Sequence, residues 1–389
     1  MLASKSNQKF ESPKSGLLAS NGFSWQSENI YSSAREYFEG LLNDIDHAVS
    51  CIDFVVYIFS LDEIGLRVAA ALKKAAQRNV RVRLIVDGFG SAAHAETIAG
   101  QLSAAGAEVR IYHPLPWYWS NYRWSRKSGD WFQKFYYFVG SMNRRDHRKF
   151  CVIDRETAWC GSFNISQDHL KTEIPWRDYG VRVTGNALSV LTENFEGIWF
   201  RRKIKNPPNR VLNLIRSNAS RRLRRLSNQL LVERIRNARE RVWICSAYFA
   251  PSRAVIRAIK SARAGNLDVR IIVAGRSDVS IFPLLSATYF TDLLKIGVVI
   301  YSYQAGVLHA KAMLVDQQAL IGSSNLNHRS FLHDLELDVV LSSQDSIERI
   351  RSMLEQDIEK SLKLSLANVS KWGRYMLFGW ILRIVRYWM

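Results

Sequence analysis

The sequence predicts an α/β fold made of two similar halves, each a mixed β-sheet flanked by helices, with an active site at the interface of the halves. Three observations carry that expectation. A strand, helix, strand order occurs twice, each copy leads into a short hairpin motif with His and Lys two positions apart, and 389 residues suit two domains better than one.

Residues 1–20 are a Ser-, Lys- and Asn-rich stretch without the apolar core of a signal peptide, so a flexible leader is expected there. The first half then offers F-V-V-Y-I-F around Tyr57, a helix-like stretch from Gly65 to Arg78 and the strand from Arg81 to Gly88. The second offers I-C-S-A-Y-F-A-P around Tyr248, a helix-like stretch from Arg253 to Ala264 and the strand from Asp268 to Gly275. Between them, K-N-P-P-N and R-R-L-R-R interrupt the pattern; a solvated linker is preferred there over a dedicated lipid-headgroup or nucleic-acid patch. The expected divisions are a leader over 1–20, a first half over 21–205, a basic linker over 206–228, a second half over 229–366 and an amphipathic tail over 367–389.

The motifs carry the chemistry. The first reads D-H-R-K-F-C-V-I-D, with His147, Lys149 and Asp154; the second reads L-H-A-K-A-M-L-V-D, with His309, Lys311 and Asp316. On an extended strand side chains two apart share a face, which sets each His beside its Lys. Asp154 and Asp316 complete the signature, but their odd offset from the lysines makes them supports near the turn rather than reactants. Each motif runs into a small polar cluster, Gly161 to Asn164 and Gly322 to Asn325. If those segments pair back antiparallel, Ser162 and Asn164, and Ser323 and Asn325, land beside the His/Lys pairs. Ammonium and amide groups could then neutralise a phosphate, one imidazole attack it and the other supply a proton, with no metal or other cofactor expected. No acidic or cysteine ligands recur at zinc spacing.

A formal net charge of +19 predicts attraction to polyanions, either nucleic acid or an anionic membrane face. The 12 tryptophans mixed among basic residues tilt that choice toward the bilayer interface. Cys51, Cys151, Cys160 and Cys245 sit in apolar runs without a C-x-x-C pair and read as buried, reduced thiols of a cytoplasm-facing protein.

From about Leu17 to Ser343 the chain resembles the bacterial cardiolipin synthases of the phospholipase D superfamily, the type without N-terminal transmembrane helices. Besides the two motifs, the likeness rests on D-E-I-G at Asp62 to Gly65, D-G-F-G-S at Asp87 to Ser91, W-R-D-Y-G-V-R-V-T-G at Trp176 to Gly185 and G-S-S-N-L-N-H-R-S from Gly322. It implies phosphatidyl transfer from phosphatidylglycerol to a second lipid hydroxyl through a phosphatidyl-histidine, with His147 as nucleophile and His309 as acid/base. It also implies that a downstream carboxylate orients each histidine; Asp178 and Glu336 are the matching candidates, with ordinary edge-strand charges as the competing reading. Implied partners are an anionic phospholipid membrane and phosphatidylglycerol or related lipids, with no nucleic acid. The implied location is the cytoplasmic face of the bacterial inner membrane. A hydrolase or effector releasing phosphatidic acid would use the same residues, and a nuclease of the superfamily is the more distant alternative.

Three departures stand out. Gly161-Ser162 occupies a place where synthases of this type commonly show two glycines, and the second motif is one residue shorter between Asp316 and Gly322. The stretch from His113 to Tyr137 is longer and more aromatic than the family's usual segment, suggesting a loop or short helix that dips into the headgroup region beside the active center, against a buried aromatic cluster as the alternative. The tail from Lys371 to Met389 has an apolar run too short to span a membrane and flanking Trp and Arg, which favours an interfacial helix over one packed on the catalytic domain.

Overall fold

A computed structural model describes residues 23–114, 144–202 and 209–370. The expected leader over 1–20, all but the start of the aromatic stretch over 113–137, and the tail over 371–389 lie outside the described residues.

The first half opens with β1 (Ser27–Tyr31), α1 (Ala34–Asp46), β2 (Cys51–Val56), α2 (Glu63–Gln77), β3 (Arg81–Asp87), α3 (Ala95–Ser103) and β4 (Glu108–Tyr112). The motif hairpin β5 (Phe150–Ile153) and β6 (Thr157–Gly161) follows, then β7 (Trp176–Arg177), β8 (Gly180–Thr184) and α4 (Leu188–Trp199). In the second half come α5 (Asn209–Leu212), β9 (Ile215–Ser217), α6 (Arg221–Arg236), β10 (Arg241–Ser246), α7 (Arg253–Ala264), β11 (Asp268–Arg276), α8 (Ile281–Lys295) and β12 (Val299–Leu308). The second hairpin is β13 (Lys311–Val315) and β14 (Gln318–Gly322), and α9 (His328–Leu332), β15 (Leu337–Leu341), α10 (Gln344–Glu359), β16 (Ser361–Lys363) and α11 (Leu366–Ser370) complete the described chain.

The described strands repeat one plan. The first sheet runs β1-β8-β6-β5-β2-β3-β4, and the second contains β9-β15-β14-β13-β10-β11-β12 in the corresponding order, with β16 and β7 added at β12. In both sheets the two strands flanking the first crossover helix pair in parallel and the motif hairpin joins antiparallel, so each sheet is mixed. Helices cover the outer faces, where Leu41, Ile45, Val68 and Leu72 pack on one sheet and Val255, Ile259, Leu285 and Leu293 on the other. The inner faces share one core, with Phe150, Val181, Phe195 and Trp199 packed together with Trp243, Leu314, Ile321 and Leu337. Burying both faces of the central strands explains why β2, β5 and β13 are apolar nearly throughout rather than alternating.

The stretch expected as a solvated linker over 206–228 is largely part of the second half. β9 pairs antiparallel with β15, in the position that β1 takes beside β8. R-R-L-R-R forms the first turn of α6, whose cap is Ser220 accepting from the Leu223 amide at 3.2 Å. Leu223, Leu231 and Ile235 are buried, so the arginine run is the polar side of an amphipathic helix. D-E-I-G also acquires a local reason: Asp62 caps α2 through the Gly65 amide at 3.0 Å, and a Cβ at Gly65 would collide with the Ser60 carbonyl.

All four cysteines are buried and free. Among the described residues no helix is long and apolar enough to cross a membrane.

Candidate active site between the two halves

His147 and Lys149 lie just before β5, while His309 and Lys311 lie at the start of β13. Each entry segment pairs across the molecule rather than within its own half. The His147 amide donates to the Leu335 carbonyl at 3.0 Å, and the His309 amide donates to the Arg177 carbonyl at 2.9 Å. Asp146 bridges Leu335, and β7 runs parallel to the end of β12. The residues that follow Leu335 and Arg177 are Glu336 and Asp178, so this register hands each histidine a carboxylate from the opposite half.

His147 Nδ1 lies 3.1 Å from both Glu336 oxygens, and His309 Nδ1 lies 2.7 Å from Asp178 Oδ1. Each histidine is therefore served by a carboxylate of the other half, Glu336 for His147 and Asp178 for His309. The edge-strand alternative fails, because both carboxylates are buried. Both histidines line one cleft of about 330 Å³, together with Asn164, Asn325, Tyr57, Tyr248 and Trp176.

Ser162 and Ser323 do not turn toward the cleft as phosphate ligands. Ser162 Oγ donates to Asp178 Oδ1 at 2.6 Å, and Ser323 Oγ donates to Glu336, so the serines steady the carboxylates. The asparagines do reach the cleft. Asn164 Oδ1 accepts from the Ile58 amide and Asn325 Oδ1 from the Tyr248 amide, both at 3.3 Å, which leaves the two NH2 groups as donors to an anion. Lys149 Nζ donates to the His147 carbonyl at 2.7 Å and Lys311 Nζ to that of His309, leaving further ammonium hydrogens.

Asp154 and Asp316 do not line the cleft. Asp154 accepts from the amides of Val49, Ser50 and Cys51 at 2.7–2.9 Å, and Asp316 from those of Arg239, Glu240 and Arg241 at 2.9–3.1 Å. Each fastens the motif hairpin to the loop before the strand that pairs with it antiparallel, β2 in the first half and β10 in the second. The shorter second hairpin closes Val315 on Gln318, whereas the first closes Ile153 on Thr157 with one more residue, so the length difference is absorbed in the turn.

Burial followed by the Lys149 and Lys311 charges pushes His147 well below the ordinary imidazole range, and burial with Lys311 pushes His309 down. Burial would raise Asp178, but His309 and His169 outweigh it and hold the carboxyl well below its usual range. Glu336 moves the other way, raised by its burial. Burial and the facing Lys311 lower Lys149 to about 7, while burial lowers Lys311 to about 8. These directions describe neutral imidazoles whose Nδ1 hydrogens go to carboxylates, leaving Nε2 free for chemistry in the cleft.

The sequence reading passed over several residues. Tyr57 packs against the His147 ring at 4.9 Å, Trp176 packs against His309 at 5.2 Å, and His169 and Ser330 bond the two carboxylates. One local signal was available for the last pair, since His169 follows Asn164 by the same five positions as Ser330 follows Asn325. No group of three or more His, Cys, Asp or Glu among the described residues is placed to hold a metal ion.

Two inward histidines, each with a lysine, an asparagine and a carboxylate partner, define a two-motif site of the phospholipase D type. Over residues 41–199 and 231–358 the chain matches the family model described as cardiolipin synthase, phospholipase D-like domain. The chain belongs to this family and is an enzyme of the phospholipase D-type phosphatidyltransferase class. It is 29% identical to Cardiolipin synthase 1 of Bacillus anthracis, over 89% of this chain and 68% of that one. It is likewise 29% identical to Cardiolipin synthase A of Pseudomonas putida, over 90% of this chain and 72% of that one. A phosphatidylserine synthase structure from Haemophilus influenzae shares the fold with a TM-score of 0.68 at 14% identity, covering 95% of this chain and 96% of that one.

Proposed function

We propose that the protein makes cardiolipin by transferring the phosphatidyl group of one phosphatidylglycerol to the hydroxyl of a second, with His147 as nucleophile and His309 as acid/base. The observation that carries this is the convergence of two imidazoles and two amides on one cleft, with the Lys149 and Lys311 ammonium groups held on the carbonyls of the same two histidines. Burial and the facing Lys149 and Lys311 charges favour the neutral form of His147, which suits attack on phosphorus. His309 rests on a carboxylate held anionic, which suits a proton carrier, because imidazolium is stabilised there.

In the first step His309, protonated at Nε2 as the anionic phosphate enters and stabilised as imidazolium by Asp178, gives that proton to the departing oxygen while a P–N bond forms at His147 Nε2 and the P–O bond to glycerol breaks. In the second, His309 takes the proton of the incoming lipid hydroxyl, the new P–O bond forms and the P–N bond breaks. Lys149, Lys311, Asn164 and Asn325 stabilise the non-bridging oxygens throughout. The net charge of +19 supports work at an anionic phospholipid surface, and we place the enzyme on the cytoplasmic face of the inner membrane as a peripheral protein without a nucleic-acid partner.

The test is incubation of purified protein with phosphatidylglycerol liposomes, followed by lipid mass spectrometry. Cardiolipin and glycerol should dominate. Phosphatidic acid as the main product would instead make water the acceptor and the protein a hydrolase.

A further inference from the structure

Asp178 has a partner that the two-motif chemistry does not require. His169 Nδ1 lies 2.8 Å from Asp178 Oδ2, while His309 Nδ1 and Ser162 Oγ share Oδ1. On its other side, His169 Nε2 accepts the Asn164 backbone N–H at 3.0 Å. An amide hydrogen pointing at Nε2 requires that nitrogen to be bare, so the hydrogen sits on Nδ1 and is donated to Asp178. The ring is 4% exposed and lies against Phe163, Phe38 and Trp176.

The other half solves the same problem with different lengths. There Ser330 Oγ donates to Glu336 Oε1 at 2.6 Å and accepts the Asn325 amide at 3.2 Å. A short carboxylate paired with a long donor in one half replaces a long carboxylate paired with a short donor in the other. Among the described residues, the charged and titratable groups around the Asp178 carboxylate are His169 and His309 in contact, Lys149 and Lys311 facing it, and the Tyr37 and Tyr248 phenols and the Cys245 thiol farther off.

We propose that His169 is a positioning residue that fixes Asp178 for His309 and locks the same carboxylate to the Asn164 turn, coupling the proton carrier to a phosphate-facing amide. This rests on the reading of His309 as acid/base. Without the His169 hydrogen bond, more of the Asp178 charge is directed at His309 and the imidazolium is held more tightly. Glutamine can replace both functions, donating through its NH2 and accepting through its carbonyl; phenylalanine fills the space and does neither.

The experiment compares His169→Gln, His169→Phe and the double change His169→Ser with Asp178→Glu in the full chain. The readouts are cardiolipin formation on phosphatidylglycerol vesicles and NMR titration of isotope-labelled histidine side chains. His169→Phe should lose about 10- to 100-fold in kcat, as is typical when a group orienting a reactive ligand is removed, with KM little changed. The His309 titration should move up by about one pH unit in that variant. His169→Gln should restore both readouts, and the double change should exceed His169→Phe in kcat. If His169→Phe fails to fold, His169→Gln decides. Near-normal kcat and titration sustain the proposal, whereas a reduced kcat with an unshifted His309 overturns it. Equal behaviour of the Gln and Phe variants also overturns it, leaving His169 as filling. Titration needs no lipid, so a wild-type protein that makes no cardiolipin removes the functional reading while the His169–Asp178–His309 coupling is still judged.

Discussion

Around His147 the longer carboxylate, Glu336, offers both oxygens at 3.1 Å, whereas around His309 the shorter Asp178 brings one oxygen to 2.7 Å. Burial raises the Glu336 carboxyl, while Asp178 is held well below its ordinary range by the two histidines it serves. The same backbone plan thus carries one histidine backed by a weaker anion and one backed by a firm anion. That difference shows that a duplicated fold need not carry equivalent half-sites: changing a carboxylate's length and its donors is enough to set the two carboxylates apart. On the proposed roles, it suits a nucleophile that stays neutral and a proton carrier that can hold a charge.

The comparison breaks most visibly at the histidines. His147→Ala and His309→Ala should each reduce cardiolipin formation by about 10³-fold or more, the range for removing a nucleophile or a general acid. They should part on a phosphatidyl ester of p-nitrophenol, whose leaving group needs no proton. His309→Ala should still release a burst of p-nitrophenolate and leave an acid-labile phosphatidyl-histidine, while His147→Ala should do neither. A burst from His147→Ala alone would reverse the two roles.

Neutralising the carboxylates sharpens the contrast. Asp178→Asn should cost about 10³- to 10⁴-fold in kcat/KM, because an amide cannot both fix the tautomer and stabilise imidazolium. Glu336→Gln should cost about 10- to 100-fold, the effect of a lost orienting hydrogen bond. Equal losses would show that the charge difference between the half-sites has no catalytic consequence.

The lysines give the pH dependence. Burial and the facing Lys311 lower Lys149 to about 7 and burial lowers Lys311 to about 8, so raising the pH through this window should remove ammonium charge from the free enzyme. The alkaline limb of kcat/KM should therefore begin near pH 7. The limb of kcat should sit higher, because bound phosphate favours the charged amines. A kcat/KM flat to pH 9 would show that the lysines stay charged throughout.

The smallest effect belongs to Asp154 and Asp316, whose hydrogen bonds fasten loops away from the cleft. Asp154→Asn and Asp316→Asn should each cost about 1–3 kcal/mol of stability, seen as a lower Tm, with kcat of the folded protein nearly unchanged. Asp154 should matter more, since it also accepts from Ser50 Oγ at 2.8 Å. Backbone hydrogen bonds overcome the effect of its partial burial and hold its carboxyl below the ordinary range. Its contribution is thus present above about pH 4, the unfolded value, and disappears as the pH falls through the lower folded value. A large fall in kcat without a fall in Tm would return either residue to the chemistry.

By itself, the sequence determined what strand periodicity and repetition can encode: two α/β halves, His147 beside Lys149, His309 beside Lys311, and the aspartates' placement away from the reacting face. Some boundaries were less legible. The arginines at the start of α6 look like a linker until the burial of Leu223 and Leu231 is known, and β9 is too short to announce itself as the partner of β15. Only the tertiary structure decided which carboxylate serves which histidine, and that Ser162 and Ser323 hold carboxylates rather than phosphate. The reason is physical. Local spacing fixes the face on which a side chain emerges, but the crossed pairs depend on backbone bonds from His147 to Leu335 and from His309 to Arg177, contacts that exist only once the two halves have closed on each other.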